Sequence, residues 1–219
     1  MRISCADFEK EFDQYREHLR KEIHCLIDSV SVLRQISDHT HDYLNEINLA
    51  PGFFRVTEAA LFSTVIMWAD KLLDEKGQRG LFNFLTFVEY NRVWLSTKEL
   101  QRRRSYADDH WMLKDRKQIT SNSINEDRQK LRSLAVLPSI KLRRDKYHGH
   151  FDKKYFDDRS LIRVEAEIIW GDIETAVDAM SSILNNYSSD FDGSFFSWNA
   201  PNDLRRLLDF ARRGSEKTD

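Results

Sequence analysis

Between Ala6 and Ile36 no glycine or proline interrupts a run in which Phe8, Phe12, Tyr15, Leu19, Ile23, Leu26, Val30 and Leu33 recur at three- and four-residue steps. That spacing puts every apolar side chain on one stripe of an α-helix, and it is incompatible with the two-residue alternation of a half-buried strand. The stripe persists for about eight turns. A helix of that length either lines the core of a bundle or forms a coiled-coil or dimer seam. With 7 glycines and 3 prolines in 219 residues, the rest of the chain also has few places to break. An all-α bundle of one domain, residues 1–214, with a frayed tail at 215–219, follows.

The remaining elements are read in chain order. Ser37 to Asn48 is a short helix or an irregular joint, closed by the turn signal Ala50-Pro51-Gly52. Phe53 to Glu75 is the most apolar helix, hydrophobic nearly all round, and is expected at the centre of the bundle. Its closing acids Asp70 and Asp74 stand at the wrong end of the helix dipole and call for a cation. Either they orient an arginine of the Arg143–Arg144 pair, or they form a plain exposed salt bridge. Leu81 to Trp94 is helical, and Thr97 to Asn122 is a polar helix or loop in which Tyr106, Trp111 and Met112 either fasten the segment to the core or offer aromatic platforms to a base. Ser123 and Glu126 have the spacing of a capping box and predict a helix from Ile124. Pro138 interrupts that helix, so a kink or restart is expected, with Pro138 near the first turn of the next segment. Phe151 to Arg159 is expected to be loop, Leu161 to Ile169 a brief extended piece, and Gly171–Asp172 the start of a long helix. Ser188 to Ala200 is a linker, followed by a short helix from Asp203 to Arg212.

Other function classes are narrowed by what is scarce. A formal net charge of -2 gives no global attraction to nucleic acid, so any RNA must be held by a local patch. Lys141, Arg143, Arg144, Lys146, Lys153 and Lys154 form one; Arg102, Arg103 and Arg104 form a second run, read as a solvated helix face. Cys5 and Cys25 are far apart and lack the paired spacing of a zinc or redox motif. His18, His24, His39 and His41 read as surface residues. No metal and no cofactor is expected. The first residues lack a signal-peptide core and no window reaches the ~18 apolar residues of a membrane span, so a cytoplasmic protein that does not enter membranes is expected.

Chemistry concentrates in Leu142–Lys153, LRRDKYHGHFDK. Arginine is a permanent planar cation able to clamp a phosphate with two hydrogen bonds, and histidine moves its proton near neutral pH. Together they suit phosphodiester cleavage. On an unbroken helix Arg144 and His148 would share a face, as they are four apart, whereas Arg144 and His150 would not. Gly149 breaks the helix: glycine is the usual left-handed residue past a helix C-terminus, so the helix is expected to end near His148 and His150 to swing back towards Arg144 or Arg143.

The motif Arg144-Asp145-x4-His150 resembles the Arg-x(4–6)-His signature of the HEPN superfamily, and Gly149, His150, Asp152 and Lys153 resemble its abortive-infection AbiU-type branch. Asp145 stands where asparagine is commonest, and Gly149 where alanine is usual. The order of elements resembles that branch too, including the apolar helix that ends in aspartate. The resemblance implies a HEPN-like helical bundle with a long first helix, a kinked motif helix and a short C-terminal helix. It further implies a metal-independent endoribonuclease of toxin or anti-phage defence type, working as a homodimer and restrained or triggered by an antitoxin or defence-system partner protein. The catalytic residues would be Arg144 and His150, with Asp145 and His148 in support. Arg143, Lys141, Lys146, Lys153 and Lys154 would bind substrate. His150 would take the proton of a ribose 2′-OH and Arg144 would stabilise the charge on phosphorus oxygens. The alternative is a non-catalytic helical module that binds nucleotide, RNA or a protein.

Overall fold

The computed structural model describes residues 3–114, 116–150 and 152–215. The apolar stripe becomes α1 (Cys5–His39), whose first turn is capped by Ser4, its side chain accepting from the backbone N–H of Asp7. All eight stripe residues are buried, Phe8, Phe12, Leu19, Ile23 and Leu26 completely. Full burial of such a side chain is worth about 1.5–3 kcal/mol, so this helix organises the core. Along it lie α3 (Pro51–Leu73) and α10 (Trp170–Asp192). The stripe faces into this chain's own bundle, which decides between the two uses that the periodicity allowed.

Around that trio pack α4 (Leu81–Asn91), α5 (Thr97–Arg104), α6 (Ser121–Arg132) and α7 (Leu137–Arg143). Short helices α8 (Lys153–Asp157) and α9 (Leu161–Glu165) follow the motif. A satellite core of Tyr155, Ile162 and Ala166 holds these two together. At the far end, α2 (Leu44–Ile47) and α11 (Leu204–Ser215) close a third cluster of Ile36, Tyr43, Ile47, Phe54 and Leu208. No strand occurs among the described residues, and no helix there is long and apolar enough to cross a membrane.

Several local expectations need correction. Pro51 is the first residue of α3 rather than part of a turn before it, because its missing N–H and fixed φ suit that position. The capping box that starts α6 is Thr120 with Ser123, three residues earlier than expected. The segments read as loop and extended piece after the motif are helical, α8 and α9, with Asp152 accepting from the N–H of Lys154 to cap the first. Phe151 and residues 216–219 lie outside the described residues. Arg102 and Arg103 are not a merely solvated face. Both bond Glu9 of α1, and Arg103 lies over the rings of Phe8 and Phe191.

Only the second half of α3 is central. Val65, Ile66, Ala69, Leu72 and Leu73 are buried, while Phe53 and Val56 are each 63% exposed. Nearly uniform apolar composition could not reveal that the cover stops partway along.

Candidate functional site

Pro138, the second residue of α7, restarts the chain after α6 and fixes the entry into the motif. Fully buried Ile140 anchors α7 to the core, and α7 packs on α3. Beyond Arg143 the backbone widens from α to π geometry over Arg144–His148, closed by the Gly149 N–H donating to the Arg144 carbonyl at 2.8 Å. Such wide turns recur at functional sites because they redirect side chains that a regular helix would fix. The helix does end near His148, but Gly149 is right-handed, at φ -89° and ψ -30°. The glycine serves a different need from the left-handed cap expected. A Cβ there would stand 2.7 Å from the Arg144 carbonyl oxygen, so only a residue without one lets the turn close.

At the start of this turn Arg144 is held by two acids. Its Nη1 donates to Asp70 Oδ2 at 2.8 Å, and its Nε lies 2.6 Å from Asp145 Oδ1. The Asp70 side chain is only 7% exposed and that of Arg144 31%. Of the two readings of Asp70, the structure therefore has the orienting one: a buried carboxylate in the last turn of α3 gripping the motif arginine. Burial pushes the Asp70 carboxyl above the usual aspartate range against the pull of Arg144. Arg144 Nε is shielded from solvent and makes no hydrogen bond among the described residues, so Asp145 holds it through proximity of charge while Asp70 supplies the directed contact.

The two histidines differ sharply. His148 is half-buried, its ring 6.1 Å from that of Phe62 and edge-on to Tyr147 at 5.1 Å. Its Nε2 is shielded from solvent and has no hydrogen-bond partner among the described residues. Burial, and then the charge of Arg143, hold its pKa below the ordinary histidine value, so the ring is neutral at neutral pH. His150 is exposed and makes no hydrogen bond or ion pair among the described residues.

Arg143 is not the surface cation expected. It is buried, its Nε donating to the Ala166 carbonyl at 2.6 Å and its Nη2 to that of Ile162 at 3.2 Å, with the guanidinium over Phe62. It ties α9 to α7 instead of facing solvent. Consecutive residues on a helix point about 100° apart, so one arginine of the pair enters the core while the next reaches the surface. The lysines are outside: Lys146 pairs with Asp152 at 2.9 Å and Lys154 with Glu165 at 2.6 Å, and Lys141 and Lys153 are exposed. Arg55, Arg159 and Arg163, which line the cleft beside His148, went unrecognised in the sequence. Arg55 lay in a helix expected to be central and the other two in segments read as irregular, so no periodicity linked them. Among the described residues no three His, Cys, Asp or Glu side chains converge on a metal-sized site.

An all-helical bundle that presents an arginine and a histidine six residues apart, across the distorted end of one helix, is a domain of the HEPN type. The sequence model described as AbiU2 matches residues 9–214, and no curated protein and no solved structure matches the chain. The chain belongs to the AbiU2 family, the abortive-infection branch of HEPN domains.

Proposed function

We propose that this AbiU2 chain is a metal-independent endoribonuclease of a defence or toxin system, whose site is completed by a second copy of the chain. The observation that carries the reading is Arg144, locked by buried Asp70 at one end of a π turn, with His148 closing that turn and exposed His150 two residues beyond it. A guanidinium fixed before substrate arrives need not reorganise as charge builds on the phosphate, the condition for strong electrostatic stabilisation. Exposed His150 accepts the proton of a ribose 2′-OH. The 2′ oxygen bonds to phosphorus, the P–O5′ bond breaks, and the departing 5′ oxygen takes a proton from the matching histidine of the second copy. The products are a 2′,3′-cyclic phosphate and a 5′-OH. DNA lacks the attacking hydroxyl and stays intact.

Two features support the dimer. Two proton-transfer groups are needed at one phosphate, and the uncovered first half of α3, with Phe53 and Val56 exposed, leaves apolar surface next to the cleft lined by Arg55, Glu58 and Ala59. The test is incubation of purified protein with mixed cellular RNA in excess EDTA, followed by mapping of fragment ends. Cleavage with cyclic-phosphate ends is expected. Intact RNA, or cleavage that needs added magnesium, would refute the proposal.

A further inference from the structure

Beside the motif, between α3, the π turn and α8–α9, lies a cleft of about 530 Å³ lined by Arg55, Glu58, Phe62, Arg143, His148, Arg159, Arg163 and Trp170 among others. Its charge is lopsided. Among the described residues Arg16, Arg79, Arg103, Arg116, Arg128 and Arg132 each meet a carboxylate. Arg55, Arg159 and Arg163 form no ion pair among the described residues, and the one acid lining the cleft is Glu58. The charge of Arg163 is felt at buried Arg143, where it adds to burial in making the cation less favourable. Like charges gathered without counter-charge oppose folding unless an anion joins them.

The walls are of a different character. Phe62 and Trp170 stand 6.2 Å apart at 83°, and Tyr147 flanks His148, so aromatic rings line the same cleft as the guanidinium groups. To this cleft His148 brings a shielded Nε2 that has no hydrogen-bond partner among the described residues. A buried polar atom left unpaired costs about 1–3 kcal/mol, so a ligand group that hydrogen-bonds this ring nitrogen is favoured there. Guanidinium groups, aromatic rings and one unpaired ring nitrogen lining a single cleft match a phosphate joined to a nucleobase. The volume suits a ligand of that size.

We infer that this cleft binds one nucleotide of a single-stranded RNA, its phosphate on Arg55, Arg159 and Arg163 and its base against Phe62 and Trp170, with the base edge hydrogen-bonded to His148 Nε2. The choice of RNA over a free nucleotide rests on the ribonuclease reading, whereas the cleft's chemistry does not. His148 is then a binding residue, set apart from Arg144 and His150.

The test is equilibrium anisotropy with a fluorescent 2′-O-methyl oligoribonucleotide of mixed sequence, which cannot be cleaved because its 2′ oxygen is blocked. Arg159 and Arg163 are exposed, so Arg159→Ala/Arg163→Ala should fold normally, as checked by circular dichroism. Expected is a loss of affinity of about tenfold or more, with the slope of log affinity against log salt falling by at most about 0.7, since the three arginines share one phosphate of a single strand. His148→Ala should weaken the normal oligomer but leave unchanged the affinity for an abasic one. Unaltered binding by the double variant overturns the inference, as does displacement by poly-glutamate as strong as by unlabelled oligomer, which would mark a site for acidic protein. Tight, arginine-dependent binding without cleavage of ordinary RNA would sink the ribonuclease reading alone.

Discussion

Gly149→Ala tests the account of the π turn with opposite signs for opposite explanations. If the glycine were merely a weak helix residue, alanine would stabilise the protein by about 0.5–1 kcal/mol. The structure predicts a loss. The added Cβ would stand 2.7 Å from the Arg144 carbonyl oxygen, which itself accepts the Gly149 N–H at 2.8 Å, so neither atom can retreat without opening the turn. Forcing a methyl group into such a space typically costs about 1–3 kcal/mol. Set against the propensity gain, the net should be a loss of up to about 2.5 kcal/mol. At this chain length each kcal/mol lowers Tm by about 2–4 °C. Urea unfolding and a thermal melt followed by circular dichroism measure it. Gly149→Asn sharpens the test: asparagine tolerates a left-handed cap but carries the same Cβ, so here it should be no better than alanine. A variant stabilised by about 0.5–1 kcal/mol, or rescue by asparagine, refutes the steric account.

Asp70→Asn keeps an acceptor for Arg144 and removes a charge that burial already disfavours, so unfolding free energy should change by less than about 1 kcal/mol while RNA cleavage falls by about tenfold or more; equal cleavage rates would mean that Asp70 does not hold the arginine in its working position. Arg144→Ala and His150→Ala should each abolish detectable cleavage, and His148→Ala should lower it by about tenfold or less; a dead His148 variant beside an active His150 variant would move the site two residues. Because the pKa of His148 is lowered on folding, the unfolded chain binds the extra proton first. Its contribution to stability should be complete above about pH 6.5 and should fall as pH drops from there to the folded value. His148→Gln should flatten that part of the stability profile, and an unchanged profile would count against the assignment. Light scattering should report a homodimer, and activity per chain should decline on dilution; a fully active monomer would exclude a shared site.

Much of this arrangement was legible from side-chain type and spacing. The stripe from Phe8 to Leu33 survives intact as the buried face of α1, since a strict helical period leaves one face to bury. Pro138 announces its restart for the same local reason, a missing donor. What the sequence concealed is long-range. Whether Asp70 would grip Arg144 or sit in a solvated salt bridge depends on how α7 lies across α3, and no local pattern encodes that crossing. The burial of Arg143 depends likewise on the carbonyls of α9, a helix of only five residues, too short to show a period and read as extended chain. The π turn is hidden because its cause is a distance, the room between residue 149 and the Arg144 carbonyl, and glycine alone reads equally well as a left-handed cap.

The satellite core of Tyr155, Ile162 and Ala166 carries a consequence for motion. The segment from α8 to α9 has a small hydrophobic cluster of its own, and Arg143 reaches across to its carbonyls at Ile162 and Ala166. Parts of a protein with little buried surface open independently of the rest, at a free energy well below that of global unfolding. Amide hydrogens of α8 and α9 should therefore exchange with solvent far sooner than those of α1 or α10. Since the cleft beside His148 has one wall from α3 and another from this segment, the two sides of the site differ in rigidity: one is fixed by the main core, and the other yields when the Arg143 bonds to its carbonyls, the packing of Leu142 and Tyr147 on the satellite core and the Lys146–Asp152 contacts are released together.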